Sequence, residues 1–273
     1  MKQVGRNITA VLLVLMFLSI VSVPVRAQDQ PAEPEQATKT LAEVDQLMEN
    51  KTVENCEKAI KGYEALLKDD PNNYELLYKT ANAYIGVIEI KTDSLMVEKD
   101  EYKPLLKKMG QIANDYAEKA YKIKPKNREV VAACLLSYGY LSASYGIVKA
   151  IFKGAAGHYK DLCAQLNAID EKYQGALGYR SLGKLYHVAP WPVGSKKKAL
   201  INFKKAVEID NECLYSHYYV GLLNFDKKNY DEAEKHFKFV VENDPPQYEK
   251  HMIGAYIKDS RYYLRQIARK RKE

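Results

Sequence analysis

A pattern recurring at a spacing of 34 residues restricts this chain to very few folds. Ala199, Phe203, Ala206 and Asn211 reappear 34 positions later as Ala233, Phe237, Val240 and Pro245. The same offsets recover Ala59, Tyr63, Leu66 and Pro71, and then Ala113, Ala117, Ala120 and Pro125. Residues at i, i+4 and i+7 share one helical face, and a proline one turn later closes the helix. Each such helix is followed by another with its own inward set. That set reads Tyr179, Leu182, Gly183, Tyr186 in one copy and His217, Val220, Gly221 in the next. Weaker versions are Leu77, Thr80, Ala81, Tyr84 and Val131, Cys134, Leu135, Tyr138. Glycine or alanine at the crossing lets two backbones approach, and an aromatic ring fills the groove beside it. Hairpins of this kind bury their faces only by stacking on one another, so the prediction is an all-α solenoid over residues 40–273.

With both halves of the pattern present, this period resembles the tetratricopeptide repeat (TPR). The departures from regularity are also informative. Between Tyr84 and Ala113 lie about 20 residues more than a regular repeat holds, which predicts elongated central helices with a loop around Glu98–Lys103. From Tyr138 to Tyr179 the helices are expected to lengthen again, and the small–large–small set is blurred in "DLCAQLNAIDEKYQ". The closing stretch "PQYEKHMIGAYIKDSRYYLRQIARKRKE" reads as one capping helix ending in charge.

The first 27 residues read as an address: Lys2 and Arg6 precede an apolar run from Ile8 to Val23, and Val25-Arg-Ala27 suits a signal peptidase. The run is shorter than the roughly 20 residues of a spanning helix. The expectation is a signal peptide cleaved after Ala27, a disordered polar leader over 28–39, and a periplasmic protein with no transmembrane span after processing. Net charge is +7, and the excess in the processed chain sits at Lys196–Lys198 and in "RQIARKRKE". An exported protein does not meet nucleic acid, so the basic tail reads as a solvated helix end that suits the helix dipole; attraction to anionic lipid or an acidic partner is the second reading.

Residues 130–148, "VVAACLLSYGYLSASYGIV", carry no charge. Three readings stay open: a core helix apolar all round, a cavity wall in which Tyr138, Tyr140 and Tyr145 alternate with small residues, and a membrane span. The 22 tyrosines against six phenylalanines suit half-wet grooves, because tyrosine pairs an apolar face with a polar tip.

Reaction chemistry finds little foothold. The five histidines show no metal-ligand spacing, and no Gly-rich phosphate loop or nucleophile elbow occurs. Neither cofactor nor metal is expected, and the chain reads as non-enzymatic. His217 falls on an inward face and reads as a core histidine. Cys56, Cys134, Cys163 and Cys213 are scattered, each in or beside an apolar helical stretch. Buried free thiols are the main reading and one disulfide the alternative.

The segment "HVAPWPVGSKKK" is the most unusual. Pro190 stops one helix and Ser195 can cap the next. Trp191, the only tryptophan, stands between two prolines, where it either staples the hairpin or presents an anchor to a partner. Here a narrower resemblance enters. Gly175, Ala176, Arg180, Leu182, Gly183 and Tyr186, then Pro190, Pro192 and Gly194, then Ala199, Phe203 and Ala206, look like the hallmark segment of the TatT family, the TPR component associated with periplasmic TRAP transporters. The likeness covers residues 128–225. It implies a scaffold whose partner is a TRAP-type solute-binding protein, with a small-molecule cleft among the central helices and self-association of the chain. The chain departs from that family in having no cysteine near the cleavage site. The candidate partner- or ligand-binding residues are Tyr138, Tyr140, Tyr145, Arg180, Tyr186, His187 and Trp191. A role as accessory factor in cell-envelope assembly is the third expectation.

Overall fold

The computed structural model of the chain describes residues 40–146, 149 and 154–272. The chain divides into two units, 1–37 and 38–273, and every described residue lies in the second. The predicted signal peptide, the leader 28–39, and Ile147 and Val148 of the uncharged run lie outside the described residues.

Among the described residues there is no strand; the architecture is an all-α solenoid. Helix α1 (Leu41–Glu49) leads into the hairpin of α2 (Val53–Asp69) and α3 (Tyr74–Thr92). Then come α4 (Lys103–Ile123) with α5 (Arg128–Ala143), and α6 (Ala155–Ile169) with α7 (Tyr173–Val188). The last elements are α8 (Lys196–Ile209) with α9 (Leu214–Asp226), then α10 (Tyr230–Glu242) and the closing α11 (Gly254–Lys270). Polar side chains start several of these helices by satisfying orphan amides. Thr52 accepts from Asn55 N, Asn73 from Glu75 N and Leu76 N, and Asn127 from Val130 N.

The repeat positions form the core. Ala59, Ala113, Ala117, Ala120, Ala199, Phe203, Ala206, Ala233, Phe237 and Val240 are all fully buried, and Tyr63 nearly so; Leu66 is half-buried at its edge. The crossing glycines do what the pattern predicts. A Cβ on Gly183 would lie 2.9 Å from the Phe203 ring, and one on Gly221 would lie 3.0 Å from the Phe237 ring. Phe203 in turn stacks on Tyr219, with centroids 4.6 Å apart.

Counted back from its helix end, α6 places Tyr159, Cys163 and Leu166 at the three repeat positions, so a large ring stands where the other copies have alanine. Gly139 of α5 makes room for it, since a Cβ there would lie 2.9 Å from Tyr159 Cε2. That inversion explains why the third copy is blurred in sequence.

Three boundaries differ from expectation. The chain leaves α3 at Thr92, earlier than the expected loop at 98–103, because Asp93, Ser94 and Leu95 turn left-handed with φ of 49°, 50° and 54°. Helices α3 and α4 are the long pair, at 19 and 21 residues. Helices α6 and α7 are of ordinary length, 15 and 16 residues, so the extra residues of 138–179 lie between Ala143 and Ala155. The closing segment is not one helix: turns over 246–253 precede α11, and they carry the fully buried Glu249 inward.

Candidate functional site

A cavity of about 220 Å³ opens where the regular stacking is interrupted. Its walls come from the far half of α5, the start of α6, one face of α7, and the left-handed turn after α3. The uncharged helix therefore serves two roles at once. Its first half, from Val130 to Leu135, is core, and its second half, including Leu136, Gly139, Tyr140 and Ala143, is cavity wall. No helix among the described residues is long and apolar enough to cross a membrane.

Two strained backbone turns shape the site. Left-handed conformation costs an L-residue about 1–2 kcal/mol, and Ser94 and Leu95, which both line the cavity, adopt it in succession. Hydrogen bonds hold them there: Ser94 Oγ donates to Met252 Sδ at 3.0 Å, and Lys184 Nζ donates to the Leu95 carbonyl at 3.1 Å. The opening of α7 is also left-handed, at Gln174, Gly175 and Ala176. Gly175, at φ of 67°, suits that conformation best of the three, and a Cβ there would lie 2.6 Å from Tyr248 Oη and 3.0 Å from Cys213 Sγ.

Of the charged groups on the walls Arg180 and Glu89 are buried, Lys184 is partly buried and Glu98 is exposed, and most are matched. Arg180 and Glu249 pair at 3.3 Å, with Arg180 also 5.3 Å from the Tyr215 ring centroid and 5.7 Å from that of Tyr248. Arg180 Nε has no hydrogen-bond partner. Burial pushes the Glu249 carboxyl above its ordinary value, against the pull of Arg180. His251 Nε2 lies 2.6 Å from Glu89 Oε2, and Tyr140 donates to Glu89 Oε1 at 3.4 Å. Burial alone would raise the Glu89 carboxyl, but hydrogen bonding and charge from His251, helped by Lys51 and Arg180, leave it below its ordinary value. Lys184 differs from both. Among the described residues it hydrogen-bonds the Leu95 carbonyl and the Tyr219 hydroxyl and lies 4.9 Å from the Tyr219 ring centroid, with no carboxylate at ion-pair distance, and burial pushes its ammonium down to about 7.

The seven candidate residues do not form one site. Tyr140 and Arg180 share the cavity wall. Tyr138 packs edge-on against His158, with centroids 4.7 Å apart, and Tyr145 is exposed. Tyr186 lies between Lys160 and Lys198, whose amines are 5.7 and 5.5 Å from its ring centroid. His187 packs on Tyr219 behind the wall; burial and the Lys184 charge lower it to about 4, and its Nδ1 has no partner. Trp191 is 88% exposed, which overturns the staple reading, because nothing covers the ring that a staple would need covered. The loop around it closes on itself without the indole. Gly194 N donates to Pro190 O and Ser195 N to Tyr186 O, both at 2.8 Å, and Ser195 caps α8. A Cβ on Gly194 would sit 1.7 Å from the Ala189 carbonyl oxygen, so only glycine fits.

Sequence reasoning missed Lys184, Glu89, Tyr159 and Tyr215 as cavity residues. The available signal was Arg180 and Lys184 at i and i+4, two charges on one face of a helix that otherwise packs inward. His217 is a satisfied core histidine, hydrogen-bonded to the Asn211 carbonyl at 3.1 Å and to His236 at 2.9 Å. All four cysteines are free and buried.

No protein-family model matches the chain, and no curated protein matches it. Solved structures do. A thermophilic TPR protein from Thermus thermophilus, TTC0263, aligns over 84% of this chain and 96% of its own, with 15% identity and a TM-score of 0.57. Human IFIT1, solved as a dimer with m7Gppp-AAAA, aligns over 84% of this chain, which spans 48% of IFIT1, at 18% identity and a TM-score of 0.50. The chain has a TPR-like fold.

Proposed function

We propose that this chain is an exported, non-enzymatic TPR scaffold that works in the periplasm and binds a partner protein through the 189–195 loop. The observation that carries the proposal is Trp191, held almost fully in water on a tightly closed loop. A large aromatic side chain pre-stiffened by flanking prolines loses little entropy on docking and makes a strong anchor. The likeness of residues 175–206 to the TatT hallmark segment makes a TRAP-type solute-binding protein the proposed partner, and the apolar run at 8–23 supports export.

The test is a crosslinked pull-down from native periplasm with the tagged protein and its Trp191→Ala variant. Recovery of a solute-binding protein by the parent and not by the variant is the expected result. Equal recovery by both removes the loop from the interface, and recovery of no such protein overturns the scaffold proposal.

The cavity favours a second reading, a small-molecule binding module built around the uncharged helix. Its mostly apolar wall with a few convergent polar groups is the usual composition of a ligand pocket.

A further inference from the structure

We infer that the cavity takes a small amphipathic monocarboxylate, its head group held by Lys184, with the Arg180 charge on the same wall, and its tail packed against α5 and α7. This inference rests on the cavity reading and is independent of the partner. The first support is a charge inventory of the walls. Arg180 has Glu249 at 3.3 Å, Glu89 has His251 at 2.6 Å, and Glu98, exposed at the rim, faces the charge of Lys103. Among the described residues Lys184 alone of these has no partner of opposite charge, only a carbonyl, a hydroxyl and the Tyr219 ring. A partly buried ammonium without a countercharge is costly in a folded protein, and such groups concentrate where function requires them. A carboxylate arriving with a ligand supplies the missing charge.

The second support is a vacant donor. Arg180 is 6% exposed and lines the same cavity, yet its Nε–H has no acceptor. Arg180 and Lys184 are one helical turn apart on α7, so both reach one region of the wall. Buried N–H groups without partners are rare, and this one belongs to a guanidinium on the same wall as Lys184.

The remaining wall sets the tail. Leu136, Leu177, Leu185, Val188 and Met252 line the space, so the rest of the guest is hydrocarbon or an aromatic ring. The cavity volume is about 220 Å³, well above the roughly 10–15 Å³ that one water needs. That is room enough for a short-chain acid.

Calorimetric titration of the protein with octanoate, octan-1-ol and octylammonium tests the inference. Octanoate should bind at least about tenfold more tightly than octanol, as one charged hydrogen-bonding partner implies, and octylammonium should bind worst. Lys184→Met and Lys184→Gln should bind octanoate and octanol with affinities within about twofold of each other, while Ile201→Ala, an exposed change on α8, keeps the parent's preference. The two Lys184 variants differ in packing and polarity, so a folding defect in one leaves the other to decide. Equal binding of octanoate and octanol by the parent, or an undiminished octanoate preference in both Lys184 variants, overturns the anion assignment and leaves the cavity reading standing. Failure of all three probes to bind overturns both.

Discussion

Replacing Lys184 by methionine should make the protein more stable, and by an amount that depends on pH. Burial lowers the ammonium from 10.5 to about 7. Between those values the unfolded chain holds a proton that the folded chain has lost, so the wild-type protein gains stability as pH rises through this window. Below about pH 7 both states are protonated and the penalty of burying the charge is complete. The shift converts to a penalty of about 5 kcal/mol at pH 6 and about 2 kcal/mol at pH 9. Methionine removes that penalty and keeps the length of the side chain. It loses the bonds to the Leu95 carbonyl and the Tyr219 hydroxyl, each worth about 1 kcal/mol. The net expectation is a variant more stable by about 3 kcal/mol at pH 6, a Tm rise of roughly 6–12 °C for a chain of this size, and little difference at pH 9. Urea unfolding of both proteins at the two pH values measures it. A variant destabilised at pH 6, or a gain equal at both pH values, would refute the reasoning. Stabilisation on removing a cavity residue is also the usual signature of a group kept for function.

Further predictions concern the loop, the histidines and the thiols. Gly194→Ala forces a Cβ onto the Ala189 carbonyl and should lower stability by about 1–3 kcal/mol, read by thermal melting, whereas Trp191→Ala should change it by less than about 0.5 kcal/mol. His187 and His217 are both lowered to about 4, each chiefly by burial. Their folded values lie below the unfolded value near 6.5, so stability is complete above that and falls as pH drops toward 4. At pH 5 each should account for about 2 kcal/mol of the loss, and His217→Phe should flatten the pH dependence of urea unfolding between pH 7 and 5. Cys56, Cys134, Cys163 and Cys213 should resist alkylation in the native protein and react together on unfolding. Burial supports this by pushing the Cys56 thiol up to about 11 and the other three higher still.

Much of the fold was legible because the repeat is local. Residues three, four and seven apart lie on one face whatever the rest of the chain does, and Gly183 and Gly221 announced the close crossings at Phe203 and Phe237. The third copy was illegible because its compensation is not local: Tyr159 fits only because Gly139, on another helix, leaves room. The candidate site was legible in pieces. Tyr140 and Arg180 were singled out and do share a wall, but Glu89, Tyr159, Lys184 and Tyr215 reach it from four different helices. No spacing in the sequence joins them. The closing segment misled for a related reason. Its periodic pattern hid the turn at 246–253 that delivers Glu249 to Arg180, a pairing across 69 positions.

The most direct test of the scaffold proposal uses Trp191 itself, since the chain has no other tryptophan. Its fluorescence and acrylamide quenching should be recorded for the protein alone and then with a candidate solute-binding protein that lacks tryptophan. The expected result is the emission of a fully hydrated, freely quenched indole that moves to the blue and becomes shielded in the complex. A complex that forms while emission and quenching stay unchanged would contradict the role of the 189–195 loop as the anchor.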